Sequence, residues 1–340
     1  MKGSAIQCRQ LKRRRGVMKY GISLQSKGPA SQPEAQIANI QRAEALGYEY
    51  ALLGDHIVIP KKIEAEYPYS ASGQFTSAAT GEAFEQITAL AFLAGATKKI
   101  RLVTSVMIVP HRHPLLAAKA LSTLDYLSKG RVTVGVGAGW LREEFELLGI
   151  PSFEERGAVT NEYIRAMKEL WTSPSPSFDG KYVKFSNIFF EPKPVQKPHP
   201  PLWIGGESPA ALRRAAALGD AWHPIGSNPK FPLTTAEQVK ASADRLYAEV
   251  KKAGRKKSDV EISYRVPKSR VSKERSGAFT GSAAQIAEDI KAFAKAGAQH
   301  LIFDFRSDDV KETIRWTEEF ADKVLPKVGS VYGVGKSNWS

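Results

Sequence analysis

Four short stretches of this chain put reactive or ligand-binding residue types just after an apolar run. Asp55-His56 follows the run at residues 50–53. A histidine with its ordinary pKa near 6.5 gives or takes a proton at working pH, so His56 suits general acid–base work. Gly205-Gly206-Glu207-Ser208-Pro209 precedes an alanine-rich helical pattern. Ser208 is of N-cap type and Pro209 fits a first helical turn. Amides at such a helix start, helped by the helix dipole, hold phosphate, which makes Gly205, Gly206, Glu207 and Ser208 a candidate phosphate cradle. Gly135, Gly137 and Gly139 recur at every second residue. They lack the third glycine offset and the second strand of a dinucleotide site, so the spacing predicts no Rossmann fold. Glycines so placed let a flat ring lie close to the backbone, with Trp140 lining a pocket beside it. In His111-Arg112-His113 two histidines share one side of an extended segment, but no third ligand is near in sequence, so no metal is expected. Arg112 is a candidate for an acidic substrate or a coenzyme tail.

Those stretches need elements to hold them. Apolar runs predict strands at residues 20–24, 50–53, 100–108, 131–136, 201–204, 221–223, 260–266 and 300–303. Amphipathic patterns predict helices at 33–46, 82–96, 115–127, 161–171, 210–218, 236–252, 283–296 and 310–324. Gly47, Gly219 and Gly297 stand as helix stops. Eight strand–helix units predict an α/β fold, a closed (β/α)8 TIM barrel. In such barrels sites form at the C-terminal ends of the strands, where all four stretches fall. Three insertions interrupt the alternation: a polar loop at 57–80, a proline-rich hairpin at 173–200, and a basic, serine-rich stretch at 267–281. The expected organisation is a basic extension at 1–17, one barrel at 18–327 and a tail at 328–340.

Composition narrows the function classes. With 340 residues, 42% hydrophobic and 25% charged, the chain is of globular type. No apolar run approaches the roughly 18 residues of a membrane span. A single cysteine, Cys8, excludes an internal disulfide and a cysteine-built zinc site. It fits a reducing cytosol, and a cytoplasmic location is expected. The net charge is +14, with a basic cluster in the first seventeen residues. That leader has no apolar segment and is not of secretory type. A nucleic-acid role would need a recognition motif, and none is present, so the charge is taken as attraction for small anions. A serine hydrolase centred on Ser208 fails because Pro209 has no N–H for an oxyanion hole. Gly335-Lys336-Ser337 lacks the earlier glycine of a P-loop. A non-enzymatic coenzyme- or nucleic-acid-binding protein using the leader is the third rival.

The segment from Gly135 to Pro151, with Phe153-Glu-Glu-Arg-Gly157 after it, resembles the bacterial luciferase-like oxidoreductases. Leu53-Gly-Asp-His56, Val103-Thr-Ser-Val106, Trp203-Ile-Gly-Gly-Glu-Ser-Pro209 and Gly219-Asp-Ala-Trp-His223 support this in the same order. The branch it looks most like uses the deazaflavin F420. The resemblance implies a luciferase-like barrel, a homodimer, and hydride transfer between F420 and a small organic substrate. It places His56 on the substrate side of the ring and Asp55 against the coenzyme. It also implies a non-proline cis bond at Ser105–Val106, forming a bulge behind the ring. Trp140 stands where some relatives carry a catalytic glutamate. The alternative within the family is a two-component monooxygenase using reduced FMN from a separate reductase.

Overall fold

The computed structural model describes residues 18–75 and 79–329. The basic leader and most of the expected tail lie outside the described residues. Eight parallel strands close into a barrel: β1 (Lys19–Ser23), β2 (Tyr50–Leu53), β3 (Arg101–Ile108), β4 (Val132–Gly137), β5 (Leu202–Gly205), β6 (Ala221–His223), β7 (Glu261–Arg265) and β8 (His300–Phe303). Each pairs with its neighbours in sequence, and β8 closes on β1 with Lys19 opposite His300. This is the (β/α)8 architecture expected from the alternation.

The outer layer holds α1 (Pro33–Ala45), α2 (Gln86–Ala96), α3 (Pro114–Leu127), α4 (Arg142–Leu148), α5 (Arg156–Thr172), α6 (Pro209–Leu218), α7 (Ala236–Lys252), α8 (Ala283–Lys295), α9 (Val310–Lys323) and α10 (Leu325–Val328). Side chains alternate along each strand. Ala51, Leu53, Leu102, Val134, Leu202 and Ile204 pack outward under the helices. Tyr50, Leu52, Val103, Trp203, Ala221 and Ile302 fill the interior. Trp203 plugs the barrel axis, with ring centroids 5.0 Å from Tyr50 and 5.2 Å from both His223 and His300.

Three helices differ from expectation. α2 starts at Gln86, not residue 82, because the Glu85 carboxylate accepts the Thr88 amide at 2.7 Å and caps it there. α5 starts earlier, at Arg156. α4 was not expected at all. It is a seven-residue helix closed by Gly149 in the left-handed region (φ 60°). The 173–200 insertion forms the expected hairpin, Phe178–Asp179 antiparallel to Lys184–Phe185. Within 267–281, Arg270–Val271 pairs parallel with Thr280–Gly281. Among the described residues no helix is long and apolar enough to cross a membrane.

Candidate active site

The C-terminal mouth of the barrel is built around an irregular end to β3. The Ser105–Val106 peptide bond is cis, as the resemblance implied. The β3–β4 register slips between Thr104 and Met107. Two successive side chains therefore face the interior. The Ser105 hydroxyl meets His223 Nε2 at 3.0 Å, while His223 Nδ1 donates to the Ser263 carbonyl at 2.8 Å. A nitrogen facing a carbonyl must carry the proton, so Nε2 accepts from Ser105. Burial pushes the His223 imidazole down to about 3, so it stays neutral. Val106 lies half-exposed over three glycines.

That arrangement corrects the expected role of the glycines. A Cβ on Gly137 would stand 2.7 Å from Val106 Cγ2, and one on Gly205 2.8 Å from Val106 Cγ1. The room their missing side chains leave is taken by Val106, and it is the valine that presents an apolar surface to the mouth. Gly139 adopts φ 86°, and a Cβ there would stand 2.7 Å from Phe145 and 2.9 Å from Ile108. It turns the chain into α4. Gly206 is also left-handed, at φ 98°.

His56 ends the link after β2 and is only partly exposed. Its Nδ1 donates to Glu144 Oε2 at 2.9 Å. Glu144, on α4 and fully buried, accepts the Ile57 and Val58 amides on its other oxygen at 2.8 and 3.2 Å. An ionised carboxylate only accepts, so Nδ1 carries the proton, and in the neutral ring Nε2 holds the free lone pair. Burial alone would raise the Glu144 carboxyl. The His56 hydrogen bond, the electrostatic pull of the His56 and His111 rings, and the Ile57 amide outweigh it, and the net shift is downward. Glu143 beside it accepts the Glu64 and Ala65 amides at 2.5 and 3.1 Å. Two neighbouring carboxylates of α4 thus pin the long loop after β2 across the mouth.

The pinned loop brings aromatics to His56. Phe75 lies 5.1 Å from the His56 ring, Trp140 6.4 Å from it, and Tyr67 5.1 Å from both Phe75 and Trp140. Trp140 therefore stands beside His56, the position from which it would line a pocket. Tyr67, Phe75 and Glu144 were not singled out in the sequence. The Glu143-Glu144 pair directly after the glycine turn was the available signal.

Three further expectations are corrected. Asp55 is buried and does not face the mouth. Arg112 Nη1 and Nη2 hold its two oxygens at 2.7 and 2.8 Å, and the Ile108 amide donates to it at 2.9 Å. Arg112 is likewise used up, reaching Glu85 at 2.7 Å as well as Asp55. This buried cluster clamps the end of β2 to the turn after β3 and to the start of α2. The Glu207 carboxylate accepts the Ile225 amide and Asn228 Nδ2, both at 2.9 Å, and so ties the link after β6. Burial raises the Glu207 carboxyl despite those bonds. Ser208 is the N-cap of α6, accepting the Ala211 amide at 3.3 Å, with Pro209 opening the helix. That hydroxyl is not poised as a nucleophile. His111 is buried against Phe145 at 4.9 Å, and no group of three metal-ligating side chains occurs among the described residues.

The sequence profile of the luciferase-like monooxygenases matches residues 18–270, a stretch that holds every element of this mouth except the end of β8. The chain belongs to that family. It is an oxidoreductase by that membership, and the hydrolase, P-loop and non-enzymatic readings fall away. Among luciferase-like relatives, the FMNH2-dependent dimethylsulfone monooxygenase of Pseudomonas putida is 34% identical over 210 residues, covering 61% of this chain and 51% of that protein. The chain thus matches about half the length of that relative. An uncharacterized protein of Mycobacterium tuberculosis is 34% identical over 231 residues, covering 67% of this chain and 80% of its own. An F420-dependent secondary alcohol dehydrogenase, solved with an F420–acetone adduct, superposes with a TM-score of 0.71 at 20% identity, covering 92% of this chain and 99% of that one. At that identity the likeness bears on the fold alone.

Proposed function

We propose that this chain binds a flavin-type ring at the barrel mouth and uses it to oxidise or reduce a small organic substrate. The observation that carries this is the Val106 bulge. An apolar side chain seated on Gly137 and Gly205 sits at the same C-terminal end of the barrel strands as the His56–Glu144 pair. A flat heterocycle needs an apolar wall and a proton partner, and both are present.

Val106 would support the ring, and Ser105, locked to His223, would fix the bulge behind it. Ser208 and the backbone at Gly206 would meet the phosphate at the start of α6. When bound, F420 supplies hydride transfer, while reduced FMN supplies the chemistry of oxygen activation. The protein's own part is proton handling and shielding. Glu144 holds His56 with Nε2 free to accept a proton from substrate or return one. Tyr67, Phe75 and Trp140 keep bulk water from that nitrogen.

F420 is the first reading, and the positive charge of the chain suits an acidic coenzyme. Reduced FMN is the second. The 34% identity to an FMNH2-dependent monooxygenase favours it, and it brings a separate reductase as partner. Anaerobic titration with F420 and with reduced FMN, followed by ring absorbance and fluorescence, tests both. Saturable binding of one ring per chain is expected; binding of neither overturns the proposal.

The same reading includes a homodimer. α2 carries no charged residue, and Phe92 on it, with Leu116 and Leu127 on α3, is more than half exposed. A second copy would cover that face. Sedimentation of the chain should give a dimer, and Phe92→Glu with Leu127→Glu a monomer; a monomeric parent chain would refute it.

A further inference from the structure

Arg265 ends β7 on the inner face of the barrel, two residues beyond Ser263, which bonds His223. Its Nε is buried with no hydrogen-bond partner, and no carboxylate forms an ion pair with its guanidinium among the described residues. The groups whose electrostatics act on it are Arg306, Asp304, and the neutral phenols of Tyr67 and Tyr69. Asp304 is already spent. Its two oxygens accept Arg306 Nε at 2.8 Å and Nη2 at 2.5 Å. Arg270 comes in from the other side and donates to the Asp304 carbonyl at 3.2 Å. Glu207, felt by Tyr69, is held by the Ile225 amide and Asn228. The mouth therefore holds a guanidinium charge with no anion of its own.

A guanidinium stays ionised at any working pH. Burial, and after it the charge of Arg306, pulls Arg265 below its ordinary value. An arriving anion would relieve both effects. The neighbours fit such a ligand. Tyr67 and Tyr69, 5.6 Å apart, offer hydroxyl donors beside the cation. From Tyr67 the ring contacts run through Phe75 to His56.

We propose that Arg265, backed by Arg306 and the Tyr67 and Tyr69 hydroxyls, is the anion-binding end of the substrate pocket. The substrate is then a small organic acid, a carboxylate, sulfonate or sulfinate. Its apolar body lies on Tyr67, Phe75 and Trp140, and its reacting end points toward His56. The fork of a guanidinium matches two oxygens of such groups at once. This rests on the mouth being the active site, and it sets the chain apart from a relative named for dimethylsulfone, which is uncharged.

The test uses the cofactor-free full chain and four probes: phenylacetate, benzenesulfonate, and their neutral counterparts phenylacetamide and benzenesulfonamide. Calorimetry should show each acid binding about 30-fold tighter than its amide, the ratio a charge-assisted paired contact supplies. Arg265→Met should bring acid and amide to within about threefold. It should leave amide affinity and the binding of FMN and F420 as they were. Arg265→Lys keeps the charge without the fork and should retain part of the preference. Thermal melting gives a second readout. Phenylacetate should raise the melting temperature of the parent chain and leave that of Arg265→Met unmoved.

Equal binding of acids and amides by the parent chain overturns the proposal, as does failure of both acids to bind at millimolar concentration. So does an Arg265→Met variant that loses FMN or F420 instead of the acids, since Arg265 would then serve the coenzyme. A chain that prefers the acids but binds neither ring sinks the cofactor reading and leaves this one standing.

Discussion

Replacing Glu144 by glutamine removes one charge and keeps the shape of the side chain. In the parent protein the carboxylate accepts three hydrogen bonds, from His56 Nδ1 and the Ile57 and Val58 amides. The glutamine carbonyl can still take the two amides. Its NH2 group then faces His56, which must move its proton to Nε2 so that Nδ1 can accept. The geometry survives with the opposite tautomer, and what is lost is the charge on the acceptor. Hydrogen bonds to a charged group contribute about 1 kcal/mol more than neutral ones, so the loss sums to about 2–3 kcal/mol. For a domain of this size that lowers the melting temperature by roughly 3–5 °C. It should also raise cleavage in the loop after β2 by roughly 30-fold, because that loop opens first.

Nitrogen-15 NMR of the histidine ring checks the mechanism directly. The parent protein should show Nδ1 protonated and the variant Nε2 protonated, with turnover down by about 100-fold or more once a substrate is in hand. Acid sensitivity adds a sign. The Glu144 carboxyl sits below its ordinary value of 4.5 in the fold. Its contribution is whole above that value and lost as the pH falls through the lower folded one. The variant should lack that part of the acid transition. An unchanged His56 tautomer with unchanged melting would refute the reasoning.

Gly137→Ala would place a Cβ 2.7 Å from Val106. Overpacking of this kind costs about 1–3 kcal/mol and should weaken ring binding with it; unchanged FMN and F420 affinity would count against Val106 as the ring's support. His111 and His223 are held down at about 4 and about 3, from an ordinary 6.5. Both are neutral in the fold, so their contribution is whole above pH 6.5 and is lost as the pH falls toward 4 and 3, where the unfolded chain takes protons the fold refuses. His111→Phe keeps the stack on Phe145 and should flatten stability against pH between 6.5 and 4, by up to about 1.4 kcal/mol per unit; an unaltered slope in urea melts refutes it. Ser208→Ala should cost about 1 kcal/mol as a lost cap and reduce the advantage of FMN over riboflavin; an undiminished advantage moves the phosphate elsewhere.

The barrel and the Ser208 cap were legible because their signals are local. Alternating side chains, helix-stopping glycines and a serine before Pro209 each act within a few residues. The cis bond was legible only through the resemblance, since Val103-Thr-Ser-Val106 alone is an ordinary strand. What escaped was pairing across the fold. Asp55 looks free until Arg112 and Glu85 close on it, and Glu144 looks solvated until the amides of Ile57 and Val58 arrive from another loop. Glycine spacing shows that room exists at Gly137 and Gly205. It does not show that Val106, on β3, fills it.

Methyl-resolved NMR of the valine-labelled chain, titrated anaerobically with reduced FMN and with F420, tests the central claim most directly, with Val106→Ala identifying the signal. Binding of either ring should shift the Val106 methyls strongly through the ring current and leave valines on the outer face, such as Val134, in place. Saturable binding that leaves the Val106 methyls unmoved would contradict it.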